Sequence, residues 1–273
     1  MILLHGKDYI NFIFIIQVMK KFSVVFPYRF SASKNILNQF EKLDVPKNVE
    51  IIRTEIESIY NENLDKEIKA DYFIFATRHQ SKAGVKSLCV HPIGNFSKAL
   101  LGGNDKELVS AMPSHMKAAV LELSKINSLD DFEIAFEATH HGPYLEKPCM
   151  FIEIGSSEDE WNNEMAGFII AKTILEIVKS KKKYKSCVVL GGSHYNTVAK
   201  KIILNTEYAV GHVCPKHNLK YLSSEMIRQM IDKSNDKNGF VVLDWKGLGN
   251  EKQRVLNLLE ENKIKYKRYD KLI

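Results

Sequence analysis

Two adjacent histidines, His140 and His141, lie close behind Glu137 at the end of an apolar run over residues 132–136. The run predicts a buried strand, and Gly142 opens a Gly-Pro turn after it. Because side chains alternate along a strand, both imidazoles reach one pocket only if the chain turns near Gly142. Imidazole titrates near neutral pH and is a common metal ligand, so the stretch predicts acid–base or metal-dependent chemistry. The simpler interpretation is that a lone histidine at a strand end is structural.

Histidine-bearing turns follow five apolar runs of the chain. These turns contain Arg78-His79, His91-Pro92, His140-His141, Ser193-His194 and Gly211-His212. In open α/β sheets, ligands bind at the carboxyl ends of the parallel strands. We therefore expect these strand ends to meet along one edge of a sheet and to form a single site.

The motifs of familiar hydrolases are absent from the sequence, which leaves two mechanisms open. No histidine pair has the H-E-x-x-H spacing of a helical zinc site, and no G-x-S-x-G elbow indicates a serine hydrolase. A zinc site with an open position for water can still form from histidine and glutamate side chains on separate strands. Without a metal, one histidine would act as general base on a water molecule.

A second candidate site is the turn Gly191-Gly192-Ser193, which follows an apolar run and precedes a predicted helix. Backbone N–H groups and the helix dipole favour an anion there, so the turn is a candidate cradle for a phosphate, a carboxylate or an oxyanion. It matches neither a Walker loop nor a G-x-G-x-x-G fingerprint, and a tight strand-to-helix turn is the simpler interpretation. The lysines over residues 179–185, joined by Arg78, predict either a phosphate-binding patch or a solvated helix end.

Strand and helix signals alternate along the chain, which predicts an α/β fold with a mostly parallel or mixed central sheet and helices on both faces. Strands are predicted over residues 22–26, 49–54, 71–76, 87–90, 132–136, 149–154, 186–190, 208–210, 240–243 and 264–269. Helices are predicted over residues 33–43 with Ser33 as the cap, 107–126 with Pro113 at the true start or a kink, 158–179, 197–204, 223–231 and 250–261. Residues 19–273 are expected to form one α/β domain, open to a division into two lobes.

The composition is that of a globular protein with a mild basic excess. The 273 residues include 39 Lys and Arg against 33 Asp and Glu, a net charge of +6 that suits a polyanionic partner. The four cysteines form no C-x-x-C pair, which indicates a reducing, cytoplasmic setting. The apolar stretch over residues 10–18 is interrupted by polar residues and too short for a membrane helix, so no membrane association is expected. Residues 1–18 are interpreted as a loose or non-native extension.

Six motifs together resemble the D-aminoacyl-tRNA deacylases of the archaeal and plant type. In chain order they are Ala76-Thr77-Arg78-His79-Gln80-Ser81, Val90-His91-Pro92-Ile93-Gly94-Asn95, Glu137-Ala138-Thr139-His140-His141-Gly142-Pro143, Phe151-Ile152-Glu153-Ile154-Gly155-Ser156 with Trp161, Gly191-Gly192-Ser193-His194-Tyr195, and Gly211-His212. The third motif is the most specific, and the similarity extends from about Met19 to the last predicted strand. The loop over residues 27–33 and the first 18 residues depart from the family pattern.

The resemblance implies a zinc-dependent, monomeric, cytoplasmic enzyme that hydrolyses the ester between a D-amino acid and the 3′ end of tRNA. It also implies a fold related to nucleoside phosphorylases and peptidyl-tRNA hydrolases. On this hypothesis the partner is D-aminoacyl-tRNA and the cofactor is Zn²⁺. Two alternatives stay open: a phosphorylase-like or peptidase-like hydrolase of a small molecule, and a tRNA-binding protein without catalysis.

Roles for individual residues follow from the same hypothesis. The expected catalytic residues are His79, Glu137, His140 and His141. The expected substrate contacts are Arg78, Thr139, Gly191, Gly192 and Ser193. The expected zinc ligands are His91, His140, Glu153 and His194.

Overall fold

Strands and helices alternate along nearly the whole chain in the computed structural model, which describes residues 19–81, 84–234, 236 and 239–272. The α/β class predicted from the sequence is confirmed. The interpretation of residues 1–18 lies outside the described residues. Among the helices described, none is long and apolar enough to cross a membrane.

The strands and helices occur in the predicted order. The strands are β1 (Phe22–Pro27), β2 (Val49–Thr54), β3 (Tyr72–Gln80), β4 (Ser87–His91), β5 (Glu133–Phe136), β6 (Cys149–Ser156), β7 (Ser186–Leu190), β8 (Ala209–Cys214), β9 (Phe240–Leu243) and β10 (Tyr266–Arg268). The helices are α1 (Ser31–Phe40), α2 (Leu64–Glu67), α3 (Pro113–Ile126), α4 (Glu158–Trp161), α5 (Glu164–Lys179), α6 (Thr197–Asn205), α7 (Ser224–Asp232) and α8 (Lys252–Glu261). Short 3₁₀ helices cover Ser58–Tyr60, Lys216–Tyr221, Gly249–Glu251 and Tyr269–Lys271.

The larger sheet is mixed and has the strand order β2-β1-β3-β6-β4-β5. β1, β2, β3 and β6 are parallel, whereas β4 pairs antiparallel with β6 and parallel with β5. The carboxyl ends of β3 and β4 therefore lie at opposite edges, so the expectation that all the histidine turns share one edge is wrong. A second sheet is entirely parallel and has the order β10-β9-β7-β8.

The two sheets share a hydrophobic core built around three helices. α3 contacts β4 and β5 of one sheet and β8 of the other, while α1 and α5 pack on β1, β3 and β6. Met116, Val120 and Ile174 are fully buried in this core, and each such side chain contributes about 2 kcal/mol through apolar burial. α7 and α8 cover the other face of the parallel sheet. The division into two lobes stays a prediction.

The opposite face of the larger sheet carries a smaller apolar cluster. Within it the rings of Phe75 and Phe151 stack at 4.8 Å between centroids. This cluster supports the polar side chains that lie further along the same strands.

Two local details of the helices differ from the prediction. The helix predicted over residues 158–179 is interrupted because Asn163 caps a new helix, its side chain accepting the amide of Ala166 at 3.0 Å. Ser33, predicted as a cap, lies inside α1, where its hydroxyl donates to the carbonyl oxygen of Ala76 at 3.0 Å. A hydroxyl that binds the adjacent strand is therefore not available as a helix cap.

Candidate active site

The candidate site lies on one face of the larger sheet, centred on Glu153 in the middle of β6. In the strand register, Glu153 is opposite Thr77 of β3 and Cys89 of β4. His79 and His91 lie two residues further along these strands and therefore point to the same face. β3 continues past its predicted end, so His79 belongs to the sheet rather than to a turn. The two imidazoles flank a buried carboxylate.

The loop after β5 brings His140 and His141 onto this face. His141 has a φ of 43°, in the left-handed region, which turns the chain one residue before the predicted turn at Gly142. The ring centroids of His140 and His141 are 4.3 Å apart, and that of His91 lies 4.4 Å from His140 and 5.0 Å from His141. A left-handed non-glycine residue costs about 1 kcal/mol, and such residues cluster at functional sites.

The loop after β7 adds His194 and Tyr195. Tyr195 forms an antiparallel bridge with Glu137, and the amide of Ala138 donates to the carbonyl oxygen of His194 at 2.8 Å. The Nε2 atom of His194 lies 3.1 Å from Oε2 of Glu137. The hydroxyl of Tyr195 lies 2.8 Å from Nε2 of His79. A loop of the parallel sheet therefore completes the cluster on the mixed sheet.

Two carboxylates lie inside the protein at the centre of the cluster. Glu137 is 0% exposed and Glu153 is 3% exposed. Oε1 of Glu137 lies 3.3 Å from Nδ1 of His79, and Oε2 of Glu153 lies 3.5 Å from Nδ1 of His79 and from Nε2 of His91. Burial opposes ionisation, but the contacts with His79 and His91 lower the pKa of Glu153 to about 2. Burial acts in the same sense on Glu137, and the contact with His194 and the charges of His91 and His79 lower its pKa. Both carboxylates are therefore ionised at neutral pH.

The same carboxylates act on the pKa values of their histidine partners. Burial alone would lower the pKa of His79 and of His91, but the nearby Glu153 and Glu137 raise both. The backbone of His79 is also fixed, because the indole N–H of Trp161 donates to its carbonyl oxygen at 3.1 Å. The carboxylates and these two rings thus stabilise each other's charged forms.

Three histidines turn their Nε2 atoms towards the cluster, where that of His91 lies 3.5 Å from Glu153 and that of His140 lies 3.7 Å from Glu137. Nδ1 lies 3.1 Å from a neighbouring backbone carbonyl oxygen in His91, 2.7 Å in His140 and 2.6 Å in His141. A carbonyl oxygen only accepts hydrogen bonds, so Nδ1 carries the proton and Nε2 holds a lone pair in the neutral ring. Burial, together with neighbouring histidine charges, lowers the pKa of His140 well below its ordinary value and that of His141 to about 4. These two rings are neutral at physiological pH.

This donor set has the chemistry of a metal site. Ligand atoms of His91, His140 and His141 lie within 4.8 Å of one another. The Nε2 atom of His91 is buried and makes no hydrogen bond within the described residues. Further sets with the same spacing are Glu137-His140-His194, His91-Glu137-Glu153 and His79-Cys89-Glu137. Neutral imidazole and carboxylate are ligands that zinc prefers, so the residues present fit a zinc ion.

A cavity of about 310 Å³ opens onto the cluster. It is lined by half of the twelve predicted site residues: Arg78, His79, His140, His141, Glu153 and His194. Arg78 pairs with Glu57 at 3.2 Å, and its guanidinium lies 4.1 Å from the centroid of the Phe30 ring. These contacts fix the Arg78 guanidinium at the cavity wall as half of an ion pair with Glu57, which also lines the cavity.

Thr139, a predicted substrate contact, does not face this cavity. Its side chain is fully buried, accepts the amide of Val213 at 2.9 Å and lies 3.2 Å from Nδ1 of His212. His212 is itself buried within β8, which extends past its predicted end, so its ring lies in the interior rather than in a turn. A substrate cannot reach either side chain in this structure.

The turn at Gly191 and Gly192 uses its amides internally. The Gly191 amide donates to the carbonyl oxygen of Cys214 at 2.9 Å, and the Gly192 amide donates to that of Gly247 at 3.4 Å. The hydroxyl of Ser193 donates to a backbone carbonyl at 2.6 Å. The first two amides of the predicted anion cradle are therefore already bonded, although Gly192 and Ser193 do line a second cavity.

Sequence reasoning missed Tyr195 and Cys89. Tyr195 adjoins His194 in a motif that was singled out, and its position beside a histidine was the available signal. Cys89 stands in an ordinary apolar strand and gives no local signal; only the register with β6 places it beside Glu153. Burial and the charge of Glu137 raise the pKa of Cys89 well above its ordinary value, so it is a neutral thiol.

A profile of the family described as D-aminoacyl-tRNA deacylase matches residues 66–267. A D-aminoacyl-tRNA deacylase of Pyrococcus furiosus is 39% identical over 223 residues, which cover 79% of this chain and 80% of that protein. One of Methanosarcina acetivorans is 34% identical and covers 86% of this chain and 87% of that protein. The crystal structure of a conserved protein of unknown function is similar with a TM-score of 0.85 and 28% identity, covering 94% of this chain and 97% of that chain.

Proposed function

The chain belongs to the D-aminoacyl-tRNA deacylase family, and from this membership we propose that it hydrolyses the ester bond between a D-amino acid and the 3′ end of tRNA. The products are the free D-amino acid and tRNA, so the reaction clears tRNA charged with the wrong enantiomer. The observation that carries the proposal is the cluster of imidazoles around Glu137 and Glu153 at the wall of the first cavity.

Zinc is the cofactor that suits this donor set. We assign His91, His140 and His141 as its ligands because each holds Nδ1 against a backbone carbonyl and turns Nε2 into the cluster, where the ligand atoms of the three lie within 4.8 Å of one another. The nearest carboxylate oxygens lie 3.5 Å from Nε2 of His91 and 3.7 Å from Nε2 of His140. His194 is left out because its Nε2 lies 3.1 Å from Glu137, and Glu153 because it already balances two imidazoles at 3.5 Å. When bound, the ion would lower the pKa of a water molecule and polarise the ester carbonyl.

His194 and Glu137 are arranged to move a proton. The side chain of His194 is 39% exposed and lines both cavities. Its Nε2 faces Glu137, and its Nδ1 makes no hydrogen bond to any described residue, so Nδ1 accepts the proton of the attacking water. The water oxygen bonds to the carbonyl carbon, the ester C–O bond breaks, and the imidazolium returns its proton to the departing ribose oxygen. The buried Glu137 carboxylate stabilises that imidazolium.

Selection of the D-enantiomer is assigned to the shape of the first cavity. Its volume is about 310 Å³, and its apolar walls include Ile59, Leu101 and Phe151. A cavity that admits the D side chain directs the L side chain of the same ester into a wall, and such a clash is an effective means of discrimination.

The cellular setting and the oligomeric state are part of the same proposal. We place the enzyme in the cytoplasm as a monomer with one α/β domain over residues 19–273. All four cysteines are free and buried, which supports a reducing compartment. The monomeric state rests on the family resemblance.

The test is incubation of the purified protein with D-tyrosyl-tRNA in phosphate-free buffer, with and without a chelator. We expect free D-tyrosine and intact tRNA, loss of activity on chelation, and recovery with Zn²⁺. A requirement for phosphate would favour the small-molecule phosphorylase instead. Binding of tRNA without release of tyrosine would favour a binding protein. Activity that survives complete removal of metal would refute the zinc assignment.

A further inference from the structure

A second cavity of about 800 Å³ lies beside the first and shares one wall with it. Its wall is formed by the loops that follow β7, β8 and β9, which are parallel neighbours in the smaller sheet. In α/β proteins the carboxyl ends of parallel strands are where ligands bind. The shared residue is His194, which lines both cavities.

The charge of this second cavity is predominantly positive. Lys216, Lys220 and Lys246 line it, and none of them lies within 4.0 Å of a carboxylate of the described residues. Glu251, the one acidic side chain among the described residues of the wall, pairs with Arg254 at 2.7 Å and so does not neutralise the lysines. Three unpaired ammonium groups around one concave surface attract a polyanion.

The backbone fixes this lysine cluster relative to the catalytic loop. The amide of Lys216 donates to the carbonyl oxygen of Gly192 at 2.8 Å, two residues before His194. Tyr221 follows Lys220 in the chain and is 45% exposed, and the ammonium of Lys220 lies 4.9 Å from the centroid of its ring. A basic groove with an exposed aromatic ring is the usual surface for single-stranded nucleic acid, because bases stack on the ring while lysines hold the phosphates.

We propose that the second cavity binds the backbone phosphates of the single-stranded 3′ end of tRNA through Lys216, Lys220 and Lys246. A strand lying there passes His194, so its terminal ester enters the first cavity beside Glu137. This inference rests on the proposed function. The second cavity is separate from the basic stretch over residues 179–185, which precedes β7 whereas Gly192 follows it. The strand's five residues separate the two by roughly 16 Å.

The test compares a triple variant, Lys216→Ala with Lys220→Ala and Lys246→Ala, with a matched control, Lys181→Ala with Lys182→Ala and Lys183→Ala. The substrates are D-tyrosyl-tRNA and 3′-O-(D-tyrosyl)adenosine, which has the same ester but no phosphate. We expect the ratio of kcat/KM on tRNA to kcat/KM on the adenosine ester to fall at least about tenfold in the first variant and to be unchanged in the control. The plot of log kcat/KM on tRNA against log salt has a negative slope, which should become shallower by about two, or roughly 0.7 for each lost phosphate contact.

Three outcomes decide the proposal. The proposal is overturned if the ratio of kcat/KM on tRNA to kcat/KM on the adenosine ester is the same in both triple variants. It is also overturned if the first variant keeps the wild-type unfolding temperature but loses activity equally on both substrates. Affinity for uncharged tRNA separates this proposal from the proposed function. If the wild-type protein cleaves no D-ester, the proposed function fails, while a selective loss of tRNA affinity in the first variant still supports this surface.

Discussion

At the scale of single residues, Glu153 raises the pKa values of two histidines, because its carboxylate lies 3.5 Å from both His79 and His91. Glu153→Gln keeps the side-chain shape and removes the charge. We expect the pKa values of both histidines to fall, and zinc affinity and kcat to drop roughly 10- to 100-fold. Metal analysis and steady-state hydrolysis of D-tyrosyl-tRNA measure the two effects. The control is Glu160→Gln, at a mostly buried glutamate bonded to Ser157; similar losses in both variants would contradict the assigned role.

Tyr195 is a positioning residue, because its hydroxyl lies 2.8 Å from Nε2 of His79. Burial, the neighbouring Cys89 and the negative charge of Glu137 raise its pKa to about 12, so the phenol stays protonated and can donate. Tyr195→Phe should lower kcat on the order of tenfold with little change in KM. A variant that changes only KM, or that loses activity in proportion to a loss of thermal stability, would refute this role.

The buried His212 should make the free energy of unfolding depend on pH. Burial, and then the charge of Lys233, lower its pKa to about 3 in the folded protein, compared with 6.5 for an ordinary histidine. Below pH 6.5 the unfolded chain therefore binds a proton that the folded chain does not, and stability falls as the pH drops from 6.5 towards 3. His212→Asn should remove up to about 1.4 kcal/mol per pH unit from that slope. Denaturant unfolding at pH 5 and pH 7.5 gives the slope, and an unchanged slope would contradict the prediction.

At the scale of elements, the sequence predicted most strands within one or two residues. Val49–Thr54, Ser186–Leu190 and Phe240–Leu243 agree with the prediction at both ends. The pattern failed where tertiary pairing extends a strand, as in β3, whose last residues pair with β6 although they are polar. It also failed at Asn163, where a cap interrupts a continuous apolar period.

Gly142 fixes the loop that carries the two adjacent histidines. A Cβ atom there would lie 2.3 Å from the Gly103 nitrogen and 2.4 Å from the Gly102 carbonyl carbon, and backbone atoms cannot move aside as side chains do. Gly142→Ala should therefore displace His141, reduce activity and lower the free energy of unfolding by about 1–3 kcal/mol. The control is Gly84→Ala, where a Cβ atom meets nothing within 4 Å, so that its cost is the backbone strain of a φ of +65° alone and activity should be unchanged. Equal effects of the two substitutions would show that close packing at Gly142 is unimportant.

At the scale of the whole molecule, the site combines groups from both sheets. The sequence indicated which histidines matter but placed them along one edge, because a single chain does not reveal that β4 runs antiparallel to β6. It likewise offered residues 179–185 as either a phosphate-binding patch or a solvated helix end, since a run of lysines is visible in sequence. Lys216, Lys220 and Lys246 belong to two separate loops and are brought together only by the fold.

The most direct test of the account is the rate at which wild-type protein releases tyrosine from D-tyrosyl-tRNA and from L-tyrosyl-tRNA, measured beside His141→Ala and His212→Asn. We predict rapid release from the D-ester only, a loss on the order of 100-fold or more in His141→Ala, and near wild-type activity at neutral pH in His212→Asn, whose ring lies outside the cavity. Equal release from both esters, or full activity in His141→Ala, would contradict the claim that this histidine cluster performs enantioselective ester hydrolysis.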